Sequence, residues 1–129
     1  MVVFDTDVLI ALLHGHDDAR RAAHKYGGHD ICITNFSWFE LVKGALRTTK
    51  PKEKLAQLEQ FFEGITVLPF DTADATAAGY AEATLAKKGR PIGIVDTFIA
   101  ATCLVQKETL VTRNTKHFGK ISELAVEKW

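Results

Sequence analysis

A three-layer α/β sandwich, with a mostly parallel sheet of about five strands between helices, is the fold class this sequence predicts. Three observations predict it. Short apolar runs such as Val2-Val3-Phe4 and Ile31-Cys32-Ile33 lack polar alternation, as strands buried on both faces require. These runs alternate with longer segments whose apolar residues recur every three or four positions. The 129 residues, 47% hydrophobic and 25% charged, suit one globular domain over 1–129 with a core of its own.

In chain order, Val2-Val3-Phe4 is the first strand and stops at Asp5. A helix follows through Val8, Leu9, Ile10, Leu12 and Leu13, with Asp7 the better cap and Asp5 the better ligand. His14-Gly15 ends it. Asp17 or Asp18 caps a second helix that runs to Tyr26 and is stopped by Gly27-Gly28. Ile31-Cys32-Ile33 is the second strand, and Thr34-Asn35 turns the chain into a helix ending near Leu46. Phe39, Val42 and Leu46 form its expected buried face. Pro51 opens a helix carrying Leu55, Leu58, Phe61 and Phe62. Ile65, Val67 and Leu68 make a third strand, and Asp71 or Thr72 caps an Ala-rich helix to about Lys88. Gly89, Arg90, Pro91 and Gly93 break the chain. Ile94, Val95, Phe98, Ile99, Thr102 and Val105 then predict a buried helix over 94–106. Leu110-Val111 is the fourth strand, a short turn holds Phe118, and Leu124-Ala125-Val126 forms a small edge strand.

Composition excludes several function classes. No apolar stretch reaches the roughly 18 residues of a membrane span. No basic region precedes the first apolar run, so no signal peptide is expected. Cys32 and Cys103 read as small buried hydrophobes of a cytoplasmic protein. The formal net charge of zero argues against a protein that coats nucleic acid by bulk attraction. Basic residues are nonetheless clustered: Lys43, Arg47, Lys50, Lys52 and Lys54; Lys87, Lys88 and Arg90; Arg113, Lys116 and Lys120. Each cluster reads either as a solvated helix end or as a contact for a polyanion.

Four polar positions stand at strand ends or helix starts of one predicted edge: Asp5, Glu40, Asp96 and Asn114. A carboxylate inside an apolar helix start, as at Asp96, requires a cation or strong donors. Several carboxylates together repel unless a hard divalent ion such as Mg²⁺ or Mn²⁺ joins them. Each residue also has a structural role open to it. Asp5 suits a cap, Ser37 and Glu40 fit a capping box, Asp96 suits the helix dipole and Asn114 suits a turn. Thr6 and Thr112 bring hydroxyls to the same edge, as turn residues or as groups that orient a water.

The stretches VVFDTDVLI, ITNFSWFELVKGA, GIVDTFIAATCL and LVTRNTKHF, in this order, resemble a PIN domain, and in particular a VapC-type toxin ribonuclease. The resemblance spans essentially the whole chain. It implies a five-stranded parallel sheet and a metal-dependent endoribonuclease site. Asp5, Glu40 and Asp96 are its acidic ligands, and Asn114 stands where the family usually has a fourth acid. With one charge fewer, a single Mg²⁺ or Mn²⁺ is held firmly through Asp5 and Asp96. A second ion is weak or arrives with substrate. Hydrolysis of an RNA phosphodiester follows, with Glu40 or Asp96 positioning the water. Arg113, Lys116, Lys43 or Arg47 would hold flanking phosphates. The resemblance also implies a VapB-like antitoxin and a homodimer, to which Phe36, Trp38, Phe39, Phe61 and Phe62 offer aromatic surface if they are not core.

Two other readings stay open. The opening Asp-Thr-Asp also resembles a haloacid-dehalogenase-type phosphatase, with Asp5 as nucleophile and Asp7 as general acid. That family needs an acidic cluster after a late strand, where this chain has Thr-Arg-Asn. An inactive binding module of the same fold is the other, motivated by Asn114. His14, His16, His24, His29 and His117 read mostly as surface residues rather than zinc ligands.

Overall fold

Val3 and Phe4, neighbours on the first strand, enter two different cores. In the computed structural model, which describes residues 1–27 and 30–129, the elements follow one another as strand–helix units. They are β1 (Val2–Phe4), α1 (Thr6–Leu13), α2 (Asp17–Tyr26), β2 (Ile31–Thr34), α3 (Asn35–Leu46) and α4 (Pro51–Phe61). Then come β3 (Thr66–Leu68), α5 (Thr72–Lys87), α6 (Ile94–Gln106), β4 (Thr109–Val111), α7 (Thr115–Phe118) and β5 (Val126–Glu127). Among the described residues the strands form one five-stranded sheet, in the order β3-β2-β1-β4-β5, with every pairing parallel. Val3 lies opposite Cys32 and Leu110 in register, and Phe4 opposite Val111.

Because side chains alternate across a strand, each strand feeds both faces. Val3, Cys32, Leu68 and Leu110 pack with Leu85, Ile99, Cys103 and Phe118, under α5, α6 and α7. Phe4, Ile31, Ile33 and Val111 pack with Val8, Leu9, Ala19, Leu41, Leu58 and Phe62, under α1 to α4. This is the predicted sandwich. Phe4 is fully buried and meets the edge of Tyr26 at 6.0 Å between ring centroids. Phe4→Ala is therefore expected to remove about 3–5 kcal/mol of stability. The check is a lower urea midpoint at unchanged slope. Cys32 and Cys103 are buried free thiols, and burial raises both above the ordinary thiol range, Cys32 to about 11. No described helix is long and apolar enough to cross a membrane.

Several local expectations are corrected. On α3, Phe39 and Leu46 are 54% and 52% exposed, while Ser37 and Leu41 are buried and Trp38, Val42 and Ala45 pack beside them. The buried stripe is displaced because the helix lies against α1 and α4 as well as the sheet. Phe61, Ile94 and Val105 are likewise exposed at helix ends. The aromatic residues divide: Phe36 joins a cluster with Phe70 and Phe98, Trp38 meets Phe62, and Phe39 and Phe61 face outward. His16, not Asp17 or Asp18, occupies the N-cap of α2; both acids sit in its first turn, where the dipole favours them. The predicted stop of α2 is met at Gly27, and Gly28 and His29 lie outside the described residues. The edge strand begins two residues later than predicted, at Val126.

Candidate active site

The strand order reverses between β1 and β4. The chain runs outward from β1 to β3, then returns to place β4 on the other side of β1. In open parallel sheets the crevice at such a switch point, beyond the carboxyl ends of the strands, is where ligands bind. Asp5 follows β1, and Thr112, Arg113 and Asn114 follow β4, so the ladder itself brings them together. The Asp5 amide donates to Val111 O at 3.0 Å.

Asp5 does two jobs at once. It is the N-cap of α1, and its Oδ1 accepts from the Thr6 amide at 2.8 Å. Its Oδ2 accepts from the Thr112 hydroxyl at 2.7 Å. This corrects the expectation that Asp7 is the cap. Asp7 instead holds the loop after β4: its Oδ2 accepts from the Arg113 amide at 2.9 Å and its Oδ1 from Trp129 Nε1 at 3.1 Å. Tied in this way, Asp7 is poorly placed to act as the general acid of a phosphatase.

Glu40 reaches the same edge through a hydroxyl. Thr6 Oγ1 donates to Glu40 Oε1 at 2.7 Å and lies 3.1 Å from Ser37 Oγ. The Ser37–Glu40 capping box is not formed. Thr34 is the N-cap of α3, and its hydroxyl accepts from the Ser37 amide at 3.1 Å. Glu40 thus lies in the second turn, half-buried, with its carboxylate free of capping duty.

Asp96 lies in the first turn of α6, whose N-cap is Gly93 at φ 96°, ψ 156°. That backbone region is essentially restricted to glycine. The Gly93 carbonyl accepts from both the amide and the hydroxyl of Thr97, at 3.0 and 2.6 Å, which fixes the turn that aims Asp96. Gly93→Ala is expected to cost about 1–3 kcal/mol through backbone strain. A melt should record the loss although nothing lies within 4 Å of the added methyl. Across from Asp96, Asn114 Nδ2 lies 3.4 Å from Asp96 Oδ2 and 3.0 Å from His117 Nδ1. The Asn114 amide donates to Thr112 Oγ1 at 3.0 Å, so Thr112 links the Asp5 and Asp96 sides.

Family comparison identifies the fold. The family model described as "PIN domain" matches residues 2–124. This chain belongs to the PIN domain family. Among its relatives is the "tRNA(fMet)-specific endonuclease VapC" of Shigella flexneri. It is 32% identical over 127 residues, covering 98% of this chain and 96% of that protein. Among solved structures, DNA-bound VapBC from Salmonella typhimurium superposes with a TM-score of 0.90 at 29% identity, covering 100% of this chain and 99% of that one. VapBC2 from Rickettsia felis, bound to a promoter DNA fragment, gives 0.91 at 25% identity, with the same coverage.

The electrostatics of this PIN domain centre on Asp5. Burial is the main reason its pKa rises from 3.8 to about 7. The Thr112 hydrogen bond opposes the rise, the charges of Asp7 and Asp96 add to it, and the Thr6 amide opposes it. A carboxylate so disfavoured in its charged form suits a cation. Among the described residues no three His, Cys, Asp or Glu side chains converge closely enough to hold an ion by themselves. The donors that do assemble are carboxylates linked by hydroxyl and amide groups. That set fits an ion which takes one or two carboxylates and keeps several waters, as Mg²⁺ does.

Of the basic candidates, Arg113 is already engaged. Its guanidinium lies 3.7 Å from the Trp129 ring centroid and 3.1 Å from Asp18 Oδ2. Lys43 lies over the Phe39 ring, and Arg47 is the C-cap of α3. They are roughly 4.5 and 10 Å beyond Glu40 along the helix axis. The structure therefore joins Asp5, Thr6, Glu40, Asp96, Thr112 and Asn114 in one network and leaves Lys43 and Arg47 outside it. His117, read from sequence as a surface residue, lies 3.3 Å from Asp96 Oδ2. Its place three residues after Asn114, on one face of a helix start, was the available signal.

Proposed function

We propose that this chain is the toxin of a VapBC-type toxin–antitoxin pair, an endoribonuclease that hydrolyses RNA phosphodiester bonds. The observation that carries the reading is the meeting of Asp5, Asp96 and the Thr6–Glu40 pair at the switch point of the sheet. Asp5 and Asp96 would hold a divalent ion, Mg²⁺ or Mn²⁺, with Asn114 adding an amide oxygen. When bound, such an ion polarises a phosphoryl oxygen and acidifies a water. Thr112 fixes the Asp5 carboxylate, and Glu40, steadied by Thr6, orients the attacking water and takes its proton. Lys116, Lys43 and Arg47 are candidates for more distant phosphates, and Arg113 would first have to leave Asp18 and Trp129.

A VapB-like antitoxin is the proposed partner. An open groove of about 330 Å³, lined by Ile10, Leu13, Leu41, Ala45 and Leu58 with Glu40 in its wall, suits an amphipathic segment that presents a basic side chain to the acids. A homodimer acting in the cytoplasm completes the reading. The test is incubation of the purified protein with tRNA(fMet) and total RNA in Mg²⁺ or Mn²⁺, with EDTA and Asp5→Ala controls. Cleavage abolished by both controls supports the proposal. RNA binding without cleavage in either metal would leave a binding module instead.

A further inference from the structure

Asp96, Asn114 and His117 place three side-chain heteroatoms in one small triangle. Its sides are 3.0 Å (Asn114 Nδ2 to His117 Nδ1), 3.3 Å (His117 Nδ1 to Asp96 Oδ2) and 3.4 Å (Asn114 Nδ2 to Asp96 Oδ2). Ligand atoms about 2.1 Å from a common ion are about 3.0 Å apart at right angles and about 3.4 Å apart at a tetrahedral angle. The triangle falls in that range. A carboxamide has nearly the same shape with its oxygen and nitrogen exchanged. Half a turn of the Asn114 amide presents Oδ1 in place of Nδ2. The triangle then consists of a carboxylate oxygen, an amide oxygen and an imidazole nitrogen.

The backbone holds this arrangement. The Asn114 backbone N–H donates to Thr112 Oγ1, and the Phe118 backbone N–H closes α7 on Asn114 O at 3.2 Å. Phe118 is fully buried, which pins the turn that carries His117. At Gly119 an added Cβ would sit 2.6 Å from Thr115 O, so the exit from that turn admits no side chain without movement. The side chains of His117 and Asp96 remain 42% and 27% exposed, open to a hydrated ion.

We propose that Asp96, Asn114 and His117 form a three-donor subsite for a first-row divalent transition ion, in which the His117 imidazole shifts the preference of the centre from Mg²⁺ towards Mn²⁺. The proposal rests on the metal-dependent nuclease reading and specifies its ion. Mg²⁺ prefers oxygen ligands and water, whereas imidazole suits transition metals. Asn114 removes a charge that would favour a hard ion, and His117 supplies a neutral nitrogen in the same triangle.

The probe is Mn²⁺ itself, titrated into metal-stripped full-length protein and followed by electron paramagnetic resonance, with Mg²⁺ as competitor. The wild type is expected to bind Mn²⁺ at least about tenfold more tightly than Mg²⁺ and to show nitrogen-14 coupling in the spin-echo signal. His117→Ala should lose that coupling and bind Mn²⁺ about tenfold more weakly, with Mg²⁺ binding little changed. His117→Asp should regain affinity through oxygen, favour Mg²⁺ and show no nitrogen coupling. Circular dichroism confirms that both variants fold. Coupling that persists in His117→Ala, or unchanged Mn²⁺ affinity, overturns the proposal. If that happens while RNA is still cleaved with Mg²⁺, only the His117 subsite fails. A wild type that binds neither ion removes the metal-dependent reading as well.

Discussion

Asp96→Asn is expected to lower RNA cleavage by about 10³-fold or more, equivalent to about 4 kcal/mol of transition-state stabilisation. Asp96 is partly exposed in the first turn of α6, and its contact with the Asn114 amide is long, at 3.4 Å. An asparagine there keeps the size and the polar contacts, so folding should hardly change. What disappears is one of the two negative charges assigned to the ion. Asp7→Asn is the matching control. Asp7 accepts from the Arg113 amide and Trp129 Nε1, and its Oδ2 lies 3.2 Å from Thr112 Oγ1. Exchanging one of its oxygens for an amide group removes an acceptor, at a cost of about 1–3 kcal/mol in stability. Cleavage by the folded fraction should fall less than about tenfold, since Asp7 is not assigned to the ion. Steady-state cleavage rates and melting curves for both variants provide the check. A dead Asp7→Asn beside an active Asp96→Asn would point back to the Asp5/Asp7 chemistry of a phosphatase.

Asp5→Asn is expected to stabilise the metal-free protein at pH 7.5 while abolishing its activity. Burial raises the Asp5 pKa to about 7 in the folded chain, against 3.8 for an ordinary aspartate. Between those values the folded state holds a proton that the unfolded chain releases. The stability this group provides is therefore present in full at low pH, declines as pH rises from about 4 to about 7, and is flat above. The whole span is worth on the order of 4 kcal/mol. Asp71 and Glu127 act in the opposite sense, since their pKa values are lowered by the Asp74 hydrogen bond and by Lys25 respectively. Their contribution is lost on acidification, so the informative window lies between about pH 5.5 and 7.5. In EDTA the wild type should melt at progressively lower temperature across that window relative to Asp5→Asn. Parallel curves for the two proteins would show that Asp5 is not held near pH 7. A saturating divalent ion should raise the wild-type curve at pH 7.5 and leave the variant nearly unmoved, because it binds only the folded centre.

Sequence patterning was sufficient for the sandwich. Val2-Val3-Phe4, Ile31-Cys32-Ile33 and Leu110-Val111 are apolar on consecutive positions, which a strand tolerates only when helices cover both faces. The buried faces of the helices are less legible. Phe39 and Leu46 keep the helical period, yet they lie in solvent beside the buried Ser37 and Leu41. Period identifies a helix, but the angle at which it docks selects the stripe that is buried.

At the site, the residue types Asp5, Glu40, Asp96 and Asn114, and their placement after strands and at helix starts, were legible in the sequence, as was the family they resemble. Which donors satisfy them was not. Thr6 bridges to Glu40 across 34 positions and Thr112 to Asp5 across 107. Trp129 holds Asp7 from the far end of the chain, and His117, still partly exposed, also reaches Asp96. Chemical identity and local spacing are properties of the polymer, so the class of fold and the acidic edge follow from them before any packing. Hydrogen-bond partners depend on distances of a few tenths of an ångström between segments far apart in the chain. Only the packed sheet, with β4 returned beside β1, decided those.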